Sequence, residues 1–470
     1  MAVVGGGAGG MFASVLLARA GHEVTVVKQD RSEVAPDVEA AAETAYRSSA
    51  PQIVQPHIVM ARCRNLLRYL LPDVYDQVIA AGASDVPLAL HMPPTLADRE
   101  ARDGDELLST LATRRSTLDW VLRRAVLAEP HVTVLAPVRA VGLLSRAGDP
   151  PHVIGVRTEG GEIRADLVVD AAGRRSAVDD WLSAVDARPP ATWSAECGVA
   201  YFTRHYRVRP GAALPGPPTS RLVVGLDEFT AGIWGADNAV MQVAVAPLAT
   251  DRRFRTLRNP DVHAAVVRTV APLAPWLDAL DPITGVFQMA GLHNTLRRLV
   301  VDGEPVVTGL SAVGDSVCTT NPTLGRGLAL ALWGASDLVA TLDEHGDSCV
   351  DQALALDACV GEHVAPFYED QARIDEARLA MLRHAILGEP APPTPPPISD
   401  RVTYSQLRTA ALYDPTAFRG LWNVQGMIRK PSEVYSDIDV VAAARETLAG
   451  VAAQPVPQPT RTQLLDALEA

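Results

Sequence analysis

A run of glycines near the start of the chain, from Gly5 to Gly10, has the residue types and spacing of a phosphate-binding turn. Gly5 would allow a tight turn, Gly7 would let the backbone approach a pyrophosphate, and Gly10 would let the next helix pack closely on the strand. The start of that helix would direct unpaired N–H groups at the phosphates. The pattern predicts a dinucleotide site formed by Gly5, Gly7, Ala8, Gly9 and Gly10.

The end of the strand that follows this helix departs from the usual pattern. Dinucleotide-binding folds place an acidic residue there, where it accepts hydrogen bonds from the adenosine ribose. This chain has Lys28, followed by Gln29 and Asp30. A lysine cannot accept the proton of a ribose hydroxyl, so the adenosine end would be held loosely, or by Gln29 or Asp30. Recognition of a 2′-phosphate, and hence of NADP, is the alternative at this position.

A second motif lies about 300 residues downstream and contains Gly314, Asp315 and the segment from Pro322 to Leu328. An aspartate at the end of a strand can accept hydrogen bonds from the ribityl hydroxyls of a flavin. A Pro-x-x-Gly-x-Gly helix entry would direct N–H groups and the helix dipole at the N1–C2=O edge of the ring, which stabilises the anionic reduced flavin. Nicotinamide enzymes do not need this segment. The two motifs together predict FAD.

Length and composition exclude several classes of protein. A chain of 470 residues with 48% apolar and 21% charged residues is typical of a soluble protein of two or three domains. No apolar run approaches ~18 residues, and the first residues lack the features of a signal peptide, so we expect a cytoplasmic protein. The net charge of −13 argues against nucleic acid and membranes as partners. Five cysteines without a CxxC spacing argue against a disulfide framework and a metal site.

The elements that must position the two motifs begin with a predicted βαβ unit. In chain order, the patterns predict a strand from Ala2 to Val4, a helix from Met11 to Ala20, a strand from Glu23 to Val27, a helix from Arg62 to Ala81, a helix capped by Ser116, strands from Val132 to Leu135, Val153 to Arg157, Leu167 to Val169 and Pro305 to Leu310, and a helix from Leu328 to Leu342. The last strand would deliver the chain to the second motif.

These elements predict an α/β fold class. It comprises a three-layer, Rossmann-like FAD-binding domain, an inserted and mostly antiparallel β-sheet substrate domain, and a C-terminal helical region. We expect the FAD-binding domain at 1–75, 100–185 and 289–365 and the substrate domain at 76–99 and 186–288. The helical region would follow at 366–470, with a proline-rich linker at 389–398.

The motifs resemble those of the p-hydroxybenzoate-hydroxylase-like, or class A, FAD-dependent monooxygenases. That family has a third, central segment, and here residues 169–176 read Val-Asp-Ala-Ala-Gly-Arg-Arg-Ser. This variant looks like the branch that contains polyether epoxidases and actinobacterial tailoring oxygenases. The stretches from Arg115 to Trp120 and from Arg297 to Gly303 agree with that branch, and the resemblance covers nearly the whole chain.

The resemblance implies roles for individual residues. Besides the glycine turn, it implies FAD contacts at Arg115 along the cofactor, at Val138 near the adenine, at Asp315 near the ribityl chain or pyrophosphate, and at Pro322, Gly325, Arg326, Gly327 and Leu328 near the isoalloxazine. For Arg115, a surface ion pair with Asp119 is the alternative. The candidate substrate contacts are Tyr201, Trp234, His293 and Arg326, and no protein nucleophile is needed.

The activity implied by the resemblance is monooxygenation, in which reduced flavin and O2 form a C4a-hydroperoxide that hydroxylates or epoxidises an apolar organic substrate, as in natural-product tailoring. Electrons would come from NAD(P)H or from a partner flavin reductase. Two alternatives stay open: an FAD-dependent reductase or desaturase of an isoprenoid or polyene, and a flavin-fold protein that has lost catalysis and acts as a binding partner. A flavin halogenase is disfavoured because the chain lacks a Trp-x-Trp-x-Ile-Pro motif.

Overall fold

The computed structural model describes residues 1–31, 33–47, 49–450 and 457–470. Its strands are β1 (Ala2–Val4), β2 (Val24–Val27), β3 (Ser84–Val86), β4 (Thr110–Ala112), β5 (Val132–Leu135), β6 (Ala140–Arg146), β7 (His152–Thr158), β8 (Gly161–Arg164), β9 (Val168–Asp170), β10 (Ala191–Glu196), β11 (Tyr201–Val208), β12 (Arg221–Gly225), β13 (Phe229–Gly235), β14 (Val240–Pro247), β15 (Leu280–Pro282), β16 (Phe287–Met289), β17 (His293–Arg298), β18 (Val300–Val301), β19 (Glu304–Pro305), β20 (Leu310–Ala312) and β21 (Cys318–Thr319).

Helices occupy much of the remaining described chain. They are α1 (Ala8–Arg19), α2 (Val38–Glu43), α3 (Ala61–Leu70), α4 (Pro72–Ala80), α5 (Arg115–Ala128), α6 (Val178–Ser183), α7 (Pro260–Arg268), α8 (Ala274–Leu277), α9 (Gly327–His345), α10 (Cys349–Cys359), α11 (Ala365–Leu387), α12 (Tyr404–Ala410), α13 (Pro415–Gln425), α14 (Pro431–Tyr435), α15 (Ile438–Gly450) and α16 (Arg461–Glu469). Among the described residues, no helix is both long and apolar enough to span a bilayer.

A parallel sheet in the order β20-β9-β1-β2-β5 forms the centre of a three-layer unit. Helices α1, α5 and α9 pack on one face, around Phe12 and Leu332. The antiparallel β6-β7-β8 sheet packs on the other face, where Val153 and Val156 are fully buried. The carboxyl ends of parallel strands meet at one edge, so the segments after β1, β9 and β20 lie together. The predicted Rossmann-like fold is confirmed.

A second, antiparallel sheet has the order β12-β13-β14-β11-β15, and β16 also pairs with β11. One of its faces is covered by α7, α8 and α16, around Phe202, Phe254 and Leu464. The opposite face carries small residues, among them Ala244 and Ala246 of β14, because side chains alternate along a strand. The predicted antiparallel sheet outside the nucleotide-binding fold is thus present.

The C-terminal helices α12, α13 and α15 pack together in a separate apolar cluster. That cluster also contains Ile58 and Met60 from the start of α3 and Leu88 and Leu108 from the loops around β3. Residues 390–397 form neither helix nor strand and join α11 to α12. The predicted C-terminal helical region is confirmed, and it covers the early part of the chain.

Two predicted helices are wrong in detail. The stretch from Arg62 to Ala81 forms two helices, α3 and α4, because Pro72 has no N–H to donate and forces Leu71 out of the helical conformation. Ser116 does not cap α5, which begins one residue earlier. The N–H of Arg114 just before that helix donates instead to the carboxylate of Asp237, at 2.6 Å, so a residue from the antiparallel sheet holds the helix start.

The predicted strand from Pro305 to Leu310 is also wrong in position. Pro305 ends the short strand β19, and the parallel strand β20 begins only at Leu310. Gly309 adopts φ +70°, a conformation that interrupts a strand and that glycine tolerates best. The strand nevertheless delivers the chain to the second motif, as expected.

Candidate active site

A cavity of about 470 Å³ lies between the carboxyl edge of the parallel sheet and the small-residue face of the antiparallel sheet. Both predicted motifs contribute to it. The predicted site residues that line it are Gly5, Gly7, Ala8, Gly9, Lys28, Gln29, Arg115, Val138, Tyr201, Trp234, Asp315, Pro322, Gly325, Gly327 and Leu328. The fold therefore brings together segments that lie up to about 320 residues apart in the chain.

The glycine turn leaves backbone free on the cavity side and packs tightly on the other. Gly7 is the N-cap of α1, and no side chain caps that helix. A Cβ built on Gly7 would meet nothing within 4 Å, whereas one built on Gly10 would lie 2.0 Å from the carbonyl oxygen of Gly5. The first N–H groups of α1 therefore point to open space, which is what an anion requires.

Lys28 occupies the end of β2 where the ribose carboxylate is usually found. Its side chain is buried, and its Nζ donates to the carbonyl oxygen of Arg31 at 3.0 Å. Burial, together with the nearby guanidinium groups of Arg123 and Arg47, lowers the pKa of Lys28 to about 8. Gln29 is exposed at the cavity rim, and Asp30 also lines the cavity there, so this end of the site carries both a basic and an acidic side chain.

Val138 lines the cavity beside Lys28, as the resemblance implies for an adenine contact. Its N–H donates to the carbonyl oxygen of Lys28 at 2.8 Å, which ties the segment after β5 to the end of β2. That hydrogen bond places Val138 beside Lys28 at this end of the cavity.

Asp315 presents a carboxylate to the middle of the cavity. The preceding Gly314 adopts φ +63° and packs against Gly9, so the loop after β20 lies directly on the glycine turn. Burial raises the pKa of Asp315, while the guanidinium groups of Arg115 and Arg174 oppose that rise. Within the described chain, no protein group donates a hydrogen bond to this carboxylate. It is a desolvated acceptor with its lone pairs available.

Helix α9 brings a second helix start to the same cavity. Gly325 just before it adopts φ +71°, and Gly325, Gly327 and Leu328 line the cavity. No side chain caps α9. Its positive end therefore also faces the cavity, and the starts of α1 and α9 can both stabilise negative charge there.

Arg115 forms the ion pair that was weighed against a cofactor role, but that pair is buried rather than on the surface. Its Nε donates to Oδ1 of Asp119 at 2.6 Å, and Arg47 reaches the other oxygen at 3.1 Å. Arg115 also lines the cavity near Asp315. The ion pair thus orients the guanidinium and does not remove it from the site.

The antiparallel sheet supplies the other wall through Tyr201 and Trp234. The hydroxyl of Tyr201 donates to Oδ1 of Asn321 at 2.5 Å and lies 3.0 Å from Oγ1 of Thr323, both in the loop before α9. Burial raises the pKa of Tyr201 to about 12, so it remains a neutral phenol. The Trp234 ring lies over Gly232, where an added Cβ would be 2.6 Å from it.

Arg326 and His293 do not line the cavity, and the prediction that they contact substrate is wrong. The Arg326 side chain is fully buried on the far side of its loop, where it pairs with Asp370 at 2.5 Å and donates to the carbonyl oxygen of Phe367 at 2.9 Å. His293 is exposed at the start of β17. Helix α11 provides the partners of Arg326, and nothing in the local sequence indicates that contact.

Two further residues of the cavity, His57 and Arg378, were not predicted as site residues from the sequence. His57 is held by its Nδ1, 2.8 Å from the carbonyl oxygen of Gln55, and burial lowers its pKa to about 4, aided by Arg115. Arg378 reaches the cavity from α11, donates to Thr323 at 2.9 Å and pairs with Asp375 at 2.7 Å. Both come from helical or irregular segments whose position only the tertiary fold sets.

Comparisons with known proteins agree with this architecture. No protein-family model matches the chain. The protein Rv3254 of Mycobacterium tuberculosis is 26% identical over 360 residues, which are 72% of this chain and 71% of that protein.

Several solved structures are similar in fold. The anhydrotetracycline hydroxylase OxyS of Streptomyces rimosus has a TM-score of 0.59 at 16% identity over 92% of this chain and 76% of its own. PqsL of Pseudomonas aeruginosa, described as a probable FAD-dependent monooxygenase, has a TM-score of 0.55 at 17% identity, over 82% of this chain and 98% of its own. The flavin-dependent brominase Bmp2 has a TM-score of 0.61 at 14% identity, over 95% of this chain and 97% of its own. The chain therefore has the fold of these flavin-dependent enzymes.

Proposed function

We propose that this protein is an FAD-dependent monooxygenase that acts on an organic substrate with a large apolar part. The observation that carries the proposal is the Asp315 carboxylate, which is half-buried, has no hydrogen-bond donor in the described chain and lines one cavity together with two uncapped helix starts. A flavin dinucleotide supplies what these groups lack: hydroxyl donors for the carboxylate and negative charge for both helix ends.

The residues present fit FAD in one orientation. Gly7 and the first N–H groups of α1 would hold the pyrophosphate, and Asp315 would accept hydrogen bonds from the ribityl hydroxyls. Val138 and Lys28 would flank the adenosine, and Pro322, Gly325 and Gly327 would face the isoalloxazine. When it is bound and reduced, FAD supplies the activation of O2.

The protein's own part is to orient the substrate, exclude water and hold protons. Ala244, Ala246 and Met289 give the substrate side an apolar surface that excludes water. Because its pKa is about 4, His57 is neutral at pH 7, and if its Nδ1 donates to the carbonyl oxygen of Gln55 then Nε2 can accept a hydrogen bond from a substrate. Tyr201 can donate only one hydrogen bond, which Asn321 already receives, so its role is to hold the loop before α9.

The rest of the proposal follows the division expected from the sequence. The segments 1–75, 100–185 and 289–365 would bind FAD, 76–99 and 186–288 would bind substrate, and 366–470 would close the junction. NAD(P)H or a partner flavin reductase would deliver the electrons, and natural-product tailoring by hydroxylation or epoxidation would be the setting. These finer assignments rest on the resemblance to the polyether-epoxidase branch.

Halogenation is disfavoured for this chain, although the fold is shared with a brominase. A flavin halogenase needs a catalytic lysine, and Lys28 and Lys430 are the chain's two lysines. Lys28 lies at the predicted adenosine end and bonds to Arg31, while Lys430 pairs with Glu362 away from the cavity. Neither is placed to act on a substrate between Trp234 and the loop before α9.

The test uses the FAD-loaded protein, reduced with dithionite under argon and then mixed with ¹⁸O2 and a panel of apolar and aromatic compounds. We expect mass spectrometry to find a product that contains one ¹⁸O atom. A product that gains or loses two hydrogens without label would instead support the reductase or desaturase. A protein that binds no FAD would favour the non-catalytic alternative.

A further inference from the structure

Arg221 is a cavity residue whose charge has no acidic partner. It is the first residue of β12 and lines the cavity. Its Nη1 donates to Oε1 of Gln425 at 3.1 Å, and its Nε is buried without a hydrogen-bond partner. Within the described residues no carboxylate forms an ion pair with it.

Three other arginines of the cavity differ in this respect. Arg47 and Arg115 share Asp119, and Arg378 pairs with Asp375. Burial lowers the pKa of Arg221, and the nearby Arg408 adds to that effect. A guanidinium taken out of water without a counter-charge costs free energy, which an anion bound at that place would recover.

The surroundings of Arg221 suit the end of an apolar molecule. Its guanidinium lies 5.8 Å from the ring centre of Trp422, and its cross-strand partner is Trp234, whose ring covers Gly232. Val223 lies two residues further along β12 and also lines the cavity. The guanidinium of Arg221 therefore lies beside aromatic and aliphatic side chains at the cavity wall.

The sheet register places Arg221 far from the loop before α9. Arg221, Trp234 and Gln242 lie in one row across the sheet, whereas Tyr201 lies four residues along the strands from that row and three strands across. With about 3.4 Å per residue and about 4.8 Å per strand, the separation is about 20 Å. An anion at Arg221 would thus belong to the substrate end remote from the predicted isoalloxazine.

We propose that Arg221 binds an anionic oxygen group, a carboxylate or an ionised phenol, at the remote end of an otherwise apolar substrate. This inference rests on the proposed function, since it assigns a substrate class to the same cavity. Arg221 would form a charged hydrogen bond through Nε, while the Trp234 ring packs on the apolar part next to it.

The experiment compares two probes of the same shape, biphenyl-4-carboxylate and biphenyl-4-carboxamide, by calorimetric titration of the FAD-loaded protein at pH 7. We expect the wild type to bind the carboxylate at least roughly tenfold more tightly. Arg221→Gln should remove that preference, whereas Arg408→Gln, which removes an exposed charge nearby but outside the cavity, should retain it. Arg221→Lys, which keeps the charge without the planar fork, should retain a smaller preference.

Equal binding of the two probes by the wild type would overturn the inference without any variant, and so would a preference that survives in Arg221→Gln. These titrations do not involve turnover. A wild type that binds FAD but does not distinguish the probes would therefore contradict the anion site alone, whereas one that binds no FAD would contradict the proposed function.

Discussion

At the scale of single residues, the ionised Asp315 carboxylate would favour FAD binding but lowers the stability of the FAD-free protein. Because burial raises its folded-state pKa, the stability it contributes is present below its ordinary pKa of 3.8 and is lost as the pH rises through the folded value. Asp315→Asn removes that ionisation. We expect the FAD-free variant to have a higher melting temperature than the wild type at pH 7, with the difference shrinking below pH 4.

The same substitution should weaken FAD binding roughly tenfold, because a charged hydrogen-bond acceptor is replaced by a neutral one. Asp180→Asn, at an exposed position outside the cavity, is the matched control and should change neither property. A variant that binds FAD as tightly as the wild type would contradict the role given to Asp315.

Lys28 is the second residue whose substitution is informative. We expect Lys28→Glu to bind FAD more tightly, by about three- to tenfold, since a carboxylate can accept the ribose hydroxyls and would be flanked by Arg47 and Arg123. Lys28→Gln serves as the control for loss of charge. Because the pKa of Lys28 is about 8, the difference between wild type and Lys28→Gln in a fluorescence titration should narrow above pH 9. Unchanged or weaker binding by Lys28→Glu would show that Lys28 does not loosen the site.

At the scale of elements, we expect Gly7, just before α1, and Gly10, in its first turn, to have different roles, phosphate binding and close packing, which single substitutions can separate. Gly7→Ala adds a Cβ in open space at φ −79°, so the free energy of unfolding should hardly change, but FAD affinity should fall roughly tenfold because the added methyl group occupies the phosphate position. Gly10→Ala forces a Cβ against the Gly5 carbonyl and should lower the free energy of unfolding by about 1–3 kcal/mol. Urea unfolding and FAD titration of both variants test this, and loss of stability in Gly7→Ala would contradict it.

The start of α5 depends on the antiparallel sheet through Asp237. Its buried carboxylate accepts from the N–H and Nε of Arg114 and from the hydroxyl of Thr113. Asp237→Ala leaves the Arg114 guanidinium buried with only Glu39, so we expect a loss of about 3–5 kcal/mol in the free energy of unfolding. Asp278→Ala breaks an exposed pair with Arg268 and should cost less than about 1 kcal/mol. Equal losses in the two variants would contradict the capping role.

How well the sequence predicts an element depends on whether its pattern is local. The strand at Ala2–Val4 and the strand at Val132–Leu135 have the predicted bounds, since apolar runs between turns specify them. The predicted start of α5 was wrong because Asp237, which accepts the hydrogen bond at that start, lies more than a hundred residues away in the chain. The break at Pro72 was visible in the sequence but was outweighed by the continuous helical periodicity around it.

The site shows the same division. The glycine turn and Asp315 were predicted because backbone chemistry demands those residue types at those places. The prediction that Arg326 contacts substrate was wrong because its buried partner Asp370 lies on α11. Arg221 and Arg378 were not singled out, since an arginine in a strand or helix gives no sign of the face on which it will lie.

At the scale of the whole molecule, the cavity exists only because distant segments meet. The turn after β1, the loop after β20 and the antiparallel sheet each supply one wall, and Gly9 contacts Gly314 where two of these segments touch. A ligand that bridges these walls should stabilise the entire fold, by about 2.7 kcal/mol at a concentration of 100 times its Kd.

The most direct measurement is an equilibrium titration of the wild-type protein with FAD, followed by flavin fluorescence and by the melting temperature in parallel. We predict saturable binding of one FAD per chain, a Kd of about 1 µM or lower, and a melting temperature that rises with FAD concentration. NADP should not compete. The absence of saturable FAD binding, or displacement of FAD by NADP, would contradict the assignment of the cavity to a flavin dinucleotide.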